Sequence, residues 1–230
     1  MKYIITLVIL FNSIILLAQP IKFNIQGELK NNEHAKFAYL STLSQQTTIS
    51  SPKIFIISPI INGKFSFKGI FNLEGKDYQQ ACVFVDERSN ISKEELASKF
   101  KQLIWIIGRE NNLRLIVLED LKLKIEGQDQ MKVSEITAAG KLTKQLDELH
   151  LASVKGNKEL LVFIKKYPDS PISFDEVKAL TNMAQASNED KIESRWGSPV
   201  EQYALLSSRL KKSIKGILLK KQLDEKYKIK

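Results

Sequence analysis

Apolar and polar residues alternate along the first half of the chain, in short runs between residues 21 and 127 that are rich in β-branched and aromatic side chains. Alternation with a period of two, interrupted by turn-forming residues, predicts β-strands with one buried face. The predicted strands are residues 22–29, 35–41, 53–58, 64–69, 80–86, 103–108, 113–118 and 122–126. So many short strands in succession predict an antiparallel β-sandwich over residues 19–132.

The sharpest turn signal among these strands is Asn62-Gly63. Both residue types tolerate the positive φ angles of a tight hairpin turn. In the strand that follows, Phe65 and Phe67 fall on one face, and the polar residues at positions 64, 66 and 68 fall on the other. The pattern therefore predicts a tight turn that leads into a strand with one buried face.

One short helix is predicted within the strand-rich region. Ser92 and Glu95 have the spacing of a capping box, in which each side chain binds the other residue's free backbone N–H group. The helix is expected to run to about Phe100, as an insertion at one edge of the sandwich.

After Val133 the apolar residues recur every three or four positions, which is typical of amphipathic helices. Ser170-Pro171 and Ser198-Pro199 each place a capping serine before a proline at the first helical position. The predicted apolar faces are Leu142, Leu146 and Leu149; Leu160, Phe163, Ile164 and Tyr167; and Phe174, Val177 and Leu180. We therefore expect residues 133–230 to form a small α-helical bundle beside the sandwich, which gives an α+β fold.

The last segment combines an apolar stripe with most of the net charge. Tyr203, Leu206, Leu210, Ile214 and Ile217 would share one continuous helix face. Nine of the 35 basic residues lie from position 209 onward, where only two acidic residues oppose them, although the whole chain carries a formal charge of +9. Such a helix either has a solvated basic face or binds an anionic surface such as lipid headgroups. The candidate interaction residues here are Lys211, Lys212, Lys215, Lys220 and Lys221.

The first 18 residues have the charged start and apolar run of a secretory signal. Cleavage is expected after Ala18, and the alternative is an uncleaved membrane anchor. The run is shorter than the roughly 20 apolar residues that a spanning helix needs, and later apolar runs have only strand length. We therefore expect an exported chain without a later transmembrane segment, in the periplasm, at the cell envelope or outside the cell. Because export separates the chain from nucleic acid, we expect no nucleic-acid partner.

The amino-acid composition excludes several kinds of functional site. With 43% hydrophobic and 27% charged residues the chain is neither disordered nor fibrous. One Cys and two His leave no disulfide framework, no Cys/His zinc site and no two-cysteine redox centre, and we expect neither a cofactor nor catalytic residues. Cys82 lies in an apolar strand and is expected to be a buried thiol, the alternative being a reactive or intermolecularly paired one.

Three other features carry weak functional signals. His34 and His150 are isolated in the sequence and are interpreted as solvated or packing residues. Glu119-Asp120 is interpreted as a turn between strands, because neighbouring strand residues point to opposite faces. Trp196, between two predicted helices, is a candidate interaction residue, and its alternative role is packing between elements.

The order of these segments resembles a known family. The segments are the strand 23–27, the hairpin 62–69, the strands 113–119 and 121–127, the run 136–149, the motif 163–171 and the basic helix 207–216. Together they look like the N-terminal domain of unknown function in exported bacterial disulfide oxidoreductases of the TlpA and peroxiredoxin-related type. In that family a thioredoxin domain with a Cys-x-x-Cys motif follows the strand-rich domain and a helical segment.

In the order of that family a thioredoxin domain would begin at about residue 226, and we expect this chain to act without that domain, so no catalytic residue of the family is carried over to it. Three functions remain open: an exported non-catalytic binding or accessory module, a split subunit of a thiol–disulfide oxidoreductase that acts with a separate thioredoxin-fold protein, and a peripheral envelope protein that holds anionic lipid through its basic helix. Each predicts a different partner: an envelope protein, a thioredoxin-fold protein, or an anionic membrane surface.

Overall fold

The computed structural model describes residues 20–32, 34–42, 53–101, 113–184 and 189–227. The expected signal segment, the predicted strand 103–108 and the last three residues lie outside these ranges. The described strands are β1 Pro20–Leu29, β2 Phe37–Thr42, β3 Phe55–Pro59, β4 Lys64–Asn72, β5 Gln80–Asp86, β6 Leu113–Val117, β7 Leu121–Ile125 and β8 Glu135–Ala139. The described helices are α1 Lys93–Lys101, α2 Lys141–Lys155, α3 Glu159–Lys166, α4 Pro171–Met183, α5 Glu189–Trp196, α6 Pro199–Leu205, α7 Ser208–Lys212 and α8 Ile214–Tyr227. The chain thus has a mixed α+β fold.

The strands form two four-stranded sheets. In the first sheet the order is β4-β1-β7-β8, and in the second it is β3-β2-β5-β6. The second sheet is antiparallel throughout, as the sequence predicts. In the first sheet β1 and β7 run parallel, which the prediction of a purely antiparallel arrangement missed. The two strands meet because the turn after β6 carries the chain from the second sheet into the first, beside β1.

The predicted tight turn is confirmed. Asn62 and Gly63 have φ angles of 50° and 73°, and residues 61 and 64 on either side of them form an antiparallel bridge. The turn passes the chain from β3 in the second sheet to β4 in the first. Phe65 and Phe67 are buried, whereas the polar residues at positions 64, 66 and 68 are exposed. The turn residues therefore set the phase of β4 and hence its buried face.

Apolar side chains from both sheets contribute to one hydrophobic cluster. It contains Phe23 and Ile25 of β1, Phe67 of β4, Leu40 of β2 and Val83 of β5. A second cluster lies on the other side of the second sheet, where Tyr39, Cys82 and Phe84 pack with Leu96 of α1. Helix α1 therefore covers a face of the second sheet, whereas the sequence predicted an insertion at an edge. The apolar side chain of Leu96 is buried against this face, and a sheet face offers more apolar surface than a sheet edge does.

Strand β8 replaces part of a predicted helix. The sequence predicts residues 135–139 as part of the helical region, but they pair with β7 in the first sheet, with an irregularity between Lys122 and Leu123. Ala139 and Gly140 have φ angles of 53° and 66°, which a helix does not accept. This backbone break lets β8 end and α2 begin at Lys141.

The helices α2 to α8 share two further clusters. One holds Phe163, Val177, Tyr203 and Leu223, and the other holds Leu160 and its neighbours. The three predicted apolar faces of α2, α3 and α4 all contribute to these clusters. The predicted caps are also confirmed: the Ser170 hydroxyl accepts from the Ile172 N–H at 3.2 Å, and Ser198 forms a capping box with Glu201.

The predicted stripe along the last segment is wrong after Leu210. The segment is three helices, α6, α7 and α8, because Leu206 and Ser213 have extended ψ angles of 151° and 157°. Tyr203, Leu206 and Leu210 are buried as predicted, but Ile214 and Ile217 are exposed. Each break changes the direction of the chain, so α8 buries Gly216, Leu219 and Leu223 instead.

Candidate interaction surface at the start of α8

A capped corner joins α7 to α8. The Ser213 hydroxyl donates to the Leu210 carbonyl at 2.6 Å and accepts from the Gly216 N–H at 3.0 Å. The Ser213 carbonyl in turn accepts from the Ile217 N–H at 2.9 Å, which starts α8. One serine thus serves the end of α7 and the beginning of α8, which fixes the angle between them.

Gly216 makes this corner tight. A Cβ atom at this position would lie 2.0 Å from the Leu210 carbonyl oxygen and 2.8 Å from that of Lys211. The Gly216 carbonyl accepts from the Tyr203 hydroxyl at 3.2 Å, which attaches the corner to α6. The backbones of α7 and α8 therefore approach more closely than any larger residue at position 216 allows.

The other end of α7 is attached to the turn between α3 and α4. Asp169 receives hydrogen bonds from the Ser207 hydroxyl and from Nε of Arg209, the latter at 2.9 Å. The bond from Arg209, followed by that from Ser207, lowers the pKa of the Asp169 carboxyl. Ser207 also caps α7, because its hydroxyl accepts from the Leu210 N–H. Both ends of this five-residue helix are thus held by side chains.

The corner projects three aliphatic side chains outward. Ile214, Ile217 and Leu218 are 80%, 58% and 62% exposed. Positions i, i+3 and i+4 share one face of a helix, so the three side chains form a contiguous group, called here the α8 apolar patch. Leu219 and Leu223 on the opposite face of α8 are buried. The exposed group is therefore separate from the face of α8 that packs against the other helices.

All five lysines predicted as interaction residues lie on α7 or α8. Lys212 is exposed at the end of α7, and Nζ of Lys211 donates to the Ala204 carbonyl at 2.9 Å. Lys215 contacts Asp77 at 3.2 Å, Lys220 pairs with Asp224, and Lys221 lies 3.8 Å from Glu225. These pairs are exposed, so they are worth little in stability and leave the ammonium groups accessible to another anion.

Trp196 has a structural environment of its own on α5. Its Nε1 donates to the Ser153 carbonyl at 2.9 Å, and its ring packs against the cluster around Leu160. The Arg195 guanidinium lies 5.1 Å from the ring centroid. The structure therefore gives this ring, which is half-buried, a packing role between α5 and its neighbours. It belongs to a different apolar cluster from the buried face of α8.

A groove of about 670 Å³ lies where the sheets meet the helices. Glu119, from the predicted turn, accepts from the N–H groups of Leu142 and Thr143 at 3.1 and 2.6 Å and from the Thr143 hydroxyl at 2.7 Å. It is thus the anion at the N-terminus of α2. Burial and the Asp175 carboxylate raise the pKa of the Tyr78 hydroxyl at the edge of the groove.

An ion pair beside this groove fixes α2 to the second sheet. Arg114 of β6 donates to both carboxylate oxygens of Asp147, at 2.8 and 2.6 Å, and to the Lys132 carbonyl at 3.2 Å. The Arg114 side chain is 9% exposed and that of Asp147 is 36% exposed. The charged groups between sheet and helix thus serve to hold them together.

The structure also places the remaining sequence candidates. Cys82 is fully buried, as predicted, and burial raises the pKa of its thiol. His34 and His150 both lie at the surface. Within the ranges that the structure covers, no three His, Cys, Asp or Glu side chains form a group that could hold a metal ion.

Comparisons with protein-family models, curated proteins and solved structures find no match to this chain. Of the helices described above, none is long and apolar enough to cross a membrane. The functional conclusion therefore depends on the residues and their geometry.

The α8 apolar patch is the feature that sequence reasoning missed. The sequence pattern predicts Ile214 and Ile217 in the buried stripe and does not include Leu218 in it. A signal was present, because Ser207 and Ser213 both stand within the supposed helix and Gly216 follows them. Serine favours helix caps and glycine weakens a helix interior, so these residues mark breaks after which the apolar phase changes.

Proposed function

We propose that this chain is an exported, non-catalytic binding or accessory module, and that its binding surface is the α8 apolar patch with the lysines around it. Its architecture is a β-sandwich followed by a helical bundle. The observation that carries the proposal is the exposure of Ile214, Ile217 and Leu218 on a corner that is capped and attached on both sides. Exposed aliphatic groups next to one another are unfavourable in water, and such patches mark interaction sites.

The resemblance to the N-terminal domain of thioredoxin-like oxidoreductases gives the proposal its context. In such a protein the helical segment leads toward the thioredoxin domain, so a surface on α8 is well placed to meet a partner of that fold. The chain has one cysteine, which is buried, whereas an enzyme that forms or relays disulfides uses a pair of thiols. A split subunit of an oxidoreductase would use the same surface, and the identity of the bound protein separates the two functions.

Photocrosslinking tests where the chain binds. A photoreactive amino acid replaces Ile217 on the patch or, as the matched control, Val162 on α3, because the two residues are 58% and 60% exposed. The expected result in intact cells is a discrete adduct from position 217 that position 162 does not give. Mass spectrometry then identifies the adduct as an envelope protein, a thioredoxin-fold protein or lipid.

Two results would contradict the proposal. Identical adduct patterns at positions 217 and 162 would show that the patch has no particular partner. Reduction of insulin disulfides by the purified chain would show that the module is catalytic.

A further inference from the structure

We propose that the α8 apolar patch binds the surface of an anionic lipid bilayer, an inference that rests on the proposed function of this patch as the binding surface. The chemistry of the patch separates a bilayer from a protein partner. Its three side chains are aliphatic, and the same helix carries Lys215, Lys220 and Lys221. Protein interfaces favour Trp, Tyr, Met and Arg and are depleted in Lys. Shallow membrane binding accepts apolar side chains such as Leu and places Lys or Arg beside them, so the enrichment in Lys is what favours a bilayer here.

The positions of the lysines around α8 fit this inference. At about 100° per residue, Lys215 and Lys220 lie on the two sides of the patch, and Lys221 lies about one turn beyond Ile217. Lys212 precedes the patch at the end of α7. Long lysine side chains extend along an apolar surface and keep their ammonium groups in water. Ile214, Ile217 and Leu218 can therefore enter the acyl boundary while the lysines stay among the headgroups.

The local charge supports the same occupant. Residues 209–227 contain seven basic residues, namely Arg209, Lys211, Lys212, Lys215, Lys220, Lys221 and Lys226, against Asp224 and Glu225. Lysines near an anionic surface each add attraction that falls off within a Debye length. The exposed pairs Lys220–Asp224 and Lys221–Glu225 are weak in water, so lipid phosphates compete with these carboxylates.

The size of the patch also favours a bilayer. A stable protein interface buries about 800 Å² on each partner, which three aliphatic side chains do not provide. A bilayer needs no matching surface, so a few inserted side chains and several cations give weak, reversible attachment. The rigid corner at Ser213 and Gly216 holds the three side chains in place before binding, so little conformational entropy is lost on insertion.

Vesicle co-sedimentation tests the inference with the mature chain, residues 19–230. The probes are vesicles of phosphatidylcholine with 30% phosphatidylglycerol and vesicles of phosphatidylcholine alone. We expect the chain to bind the anionic vesicles at least tenfold more tightly than the neutral ones. Binding to the anionic vesicles is expected to fall about tenfold when NaCl is raised to 0.5 M. The double variant Ile217→Ser and Leu218→Ser is expected to bind at least tenfold more weakly, whereas the control Val162→Ser stays within twofold.

Unchanged thermal unfolding of each variant verifies that it is folded. The double variant Lys212→Gln and Lys221→Gln is a second test that leaves the three aliphatic side chains of the patch intact. Equal binding to neutral and anionic vesicles, or binding unaffected by the serine variants, would overturn the bilayer inference. If vesicles do not bind but position 217 crosslinks to a protein, the bilayer inference fails and the proposed function stands. If neither occurs, both fail.

Discussion

Replacement of Gly216 by Ala tests whether the corner between α7 and α8 has the geometry described. Gly216 lies within α8, where intrinsic helix propensity favours Ala over Gly by about 1 kcal/mol. Propensity alone therefore predicts a more stable protein. The structure predicts the opposite sign, because the new methyl group would lie 2.0 Å from the Leu210 carbonyl oxygen.

The magnitude follows from the contact that must be relieved. Cβ atoms do not approach other heavy atoms within about 3 Å, so the backbone of α7 has to move by about 1 Å relative to α8. Overpacking costs about 1–3 kcal/mol, and the upper part of that range applies because the obstacle is backbone rather than a flexible side chain. After the gain in propensity is subtracted, we expect the free energy of unfolding to fall by about 1–2 kcal/mol.

Urea unfolding followed by circular dichroism measures this difference. The matched control is Gly127→Ala, where the new methyl group meets only side chains, namely the movable carboxylate of Asp129 at 3.0 Å and the side chain of Gln130 at 3.9 Å. We expect the control to change the free energy of unfolding by less than about 0.5 kcal/mol, because a side chain that rotates relieves the contact. An unchanged or increased stability of Gly216→Ala would refute the close approach of α7 and α8 and, with it, the fixed orientation of the α8 apolar patch.

Three further predictions concern the links between sheets, helices and core. Asp147→Asn leaves the Arg114 guanidinium buried without its carboxylate, so we expect urea unfolding to show a loss of about 2–4 kcal/mol, and a loss below about 1 kcal/mol would contradict the pairing. Glu119→Gln weakens the cap of α2, because an amide nitrogen then faces a backbone N–H, such as that of Thr143; the expected loss is about 1–2 kcal/mol in the same assay, and no loss would show that the cap is dispensable. Burial raises the pKa of the Cys82 thiol, so the protonated form persists above its usual pH range; we expect no reaction with a thiol reagent at pH 8 until urea unfolds the chain, and rapid reaction of the folded protein would place the thiol at the surface.

The parts of the fold that the sequence predicted are those specified by local chemistry. Asn62-Gly63 sets a turn through its own φ preferences, and Ser198-Pro199 starts a helix through its own hydrogen bonds and ring geometry. The buried faces of β4 and α4 likewise follow from a period that the neighbouring residues display. These features need little information from distant parts of the chain.

The features that were missed depend on tertiary contacts. The five residues of β8 alternate too briefly to be distinguished from a helix start, and their conformation is fixed by pairing with β7. The parallel pairing of β1 with β7 joins segments almost 100 residues apart. Arg114 and Asp147 likewise give no local sign that they meet, since only the packing of α2 against β6 brings them together.

The misassigned residues of the last segment show how two helix breaks create the candidate site. In one unbroken helix, at about 100° per residue, Ile214 and Ile217 would lie on the same face as Tyr203 and Leu210. The residues that α8 buries, such as Leu219, would then lie about half a turn away from that face. The breaks at Leu206 and Ser213 thus rotate the apolar phase of the chain by about 180°.

This rotation lowers the stability that the helices could have, yet the corner that produces it is well defined. Burial of a large aliphatic side chain stabilises a folded protein by about 1.5–3 kcal/mol. With Ile214 and Ile217 exposed, the helices lack a substantial part of the stability that burying these side chains would provide. Yet the corner that exposes them is held by hydrogen bonds from Ser213 and Tyr203 and by the close approach of Gly216. A corner that is specified by so many contacts is a defined structure rather than a frayed end. We therefore expect this defined structure, which holds aliphatic groups in water between lysines, to be explained by the anionic surface that we propose they contact.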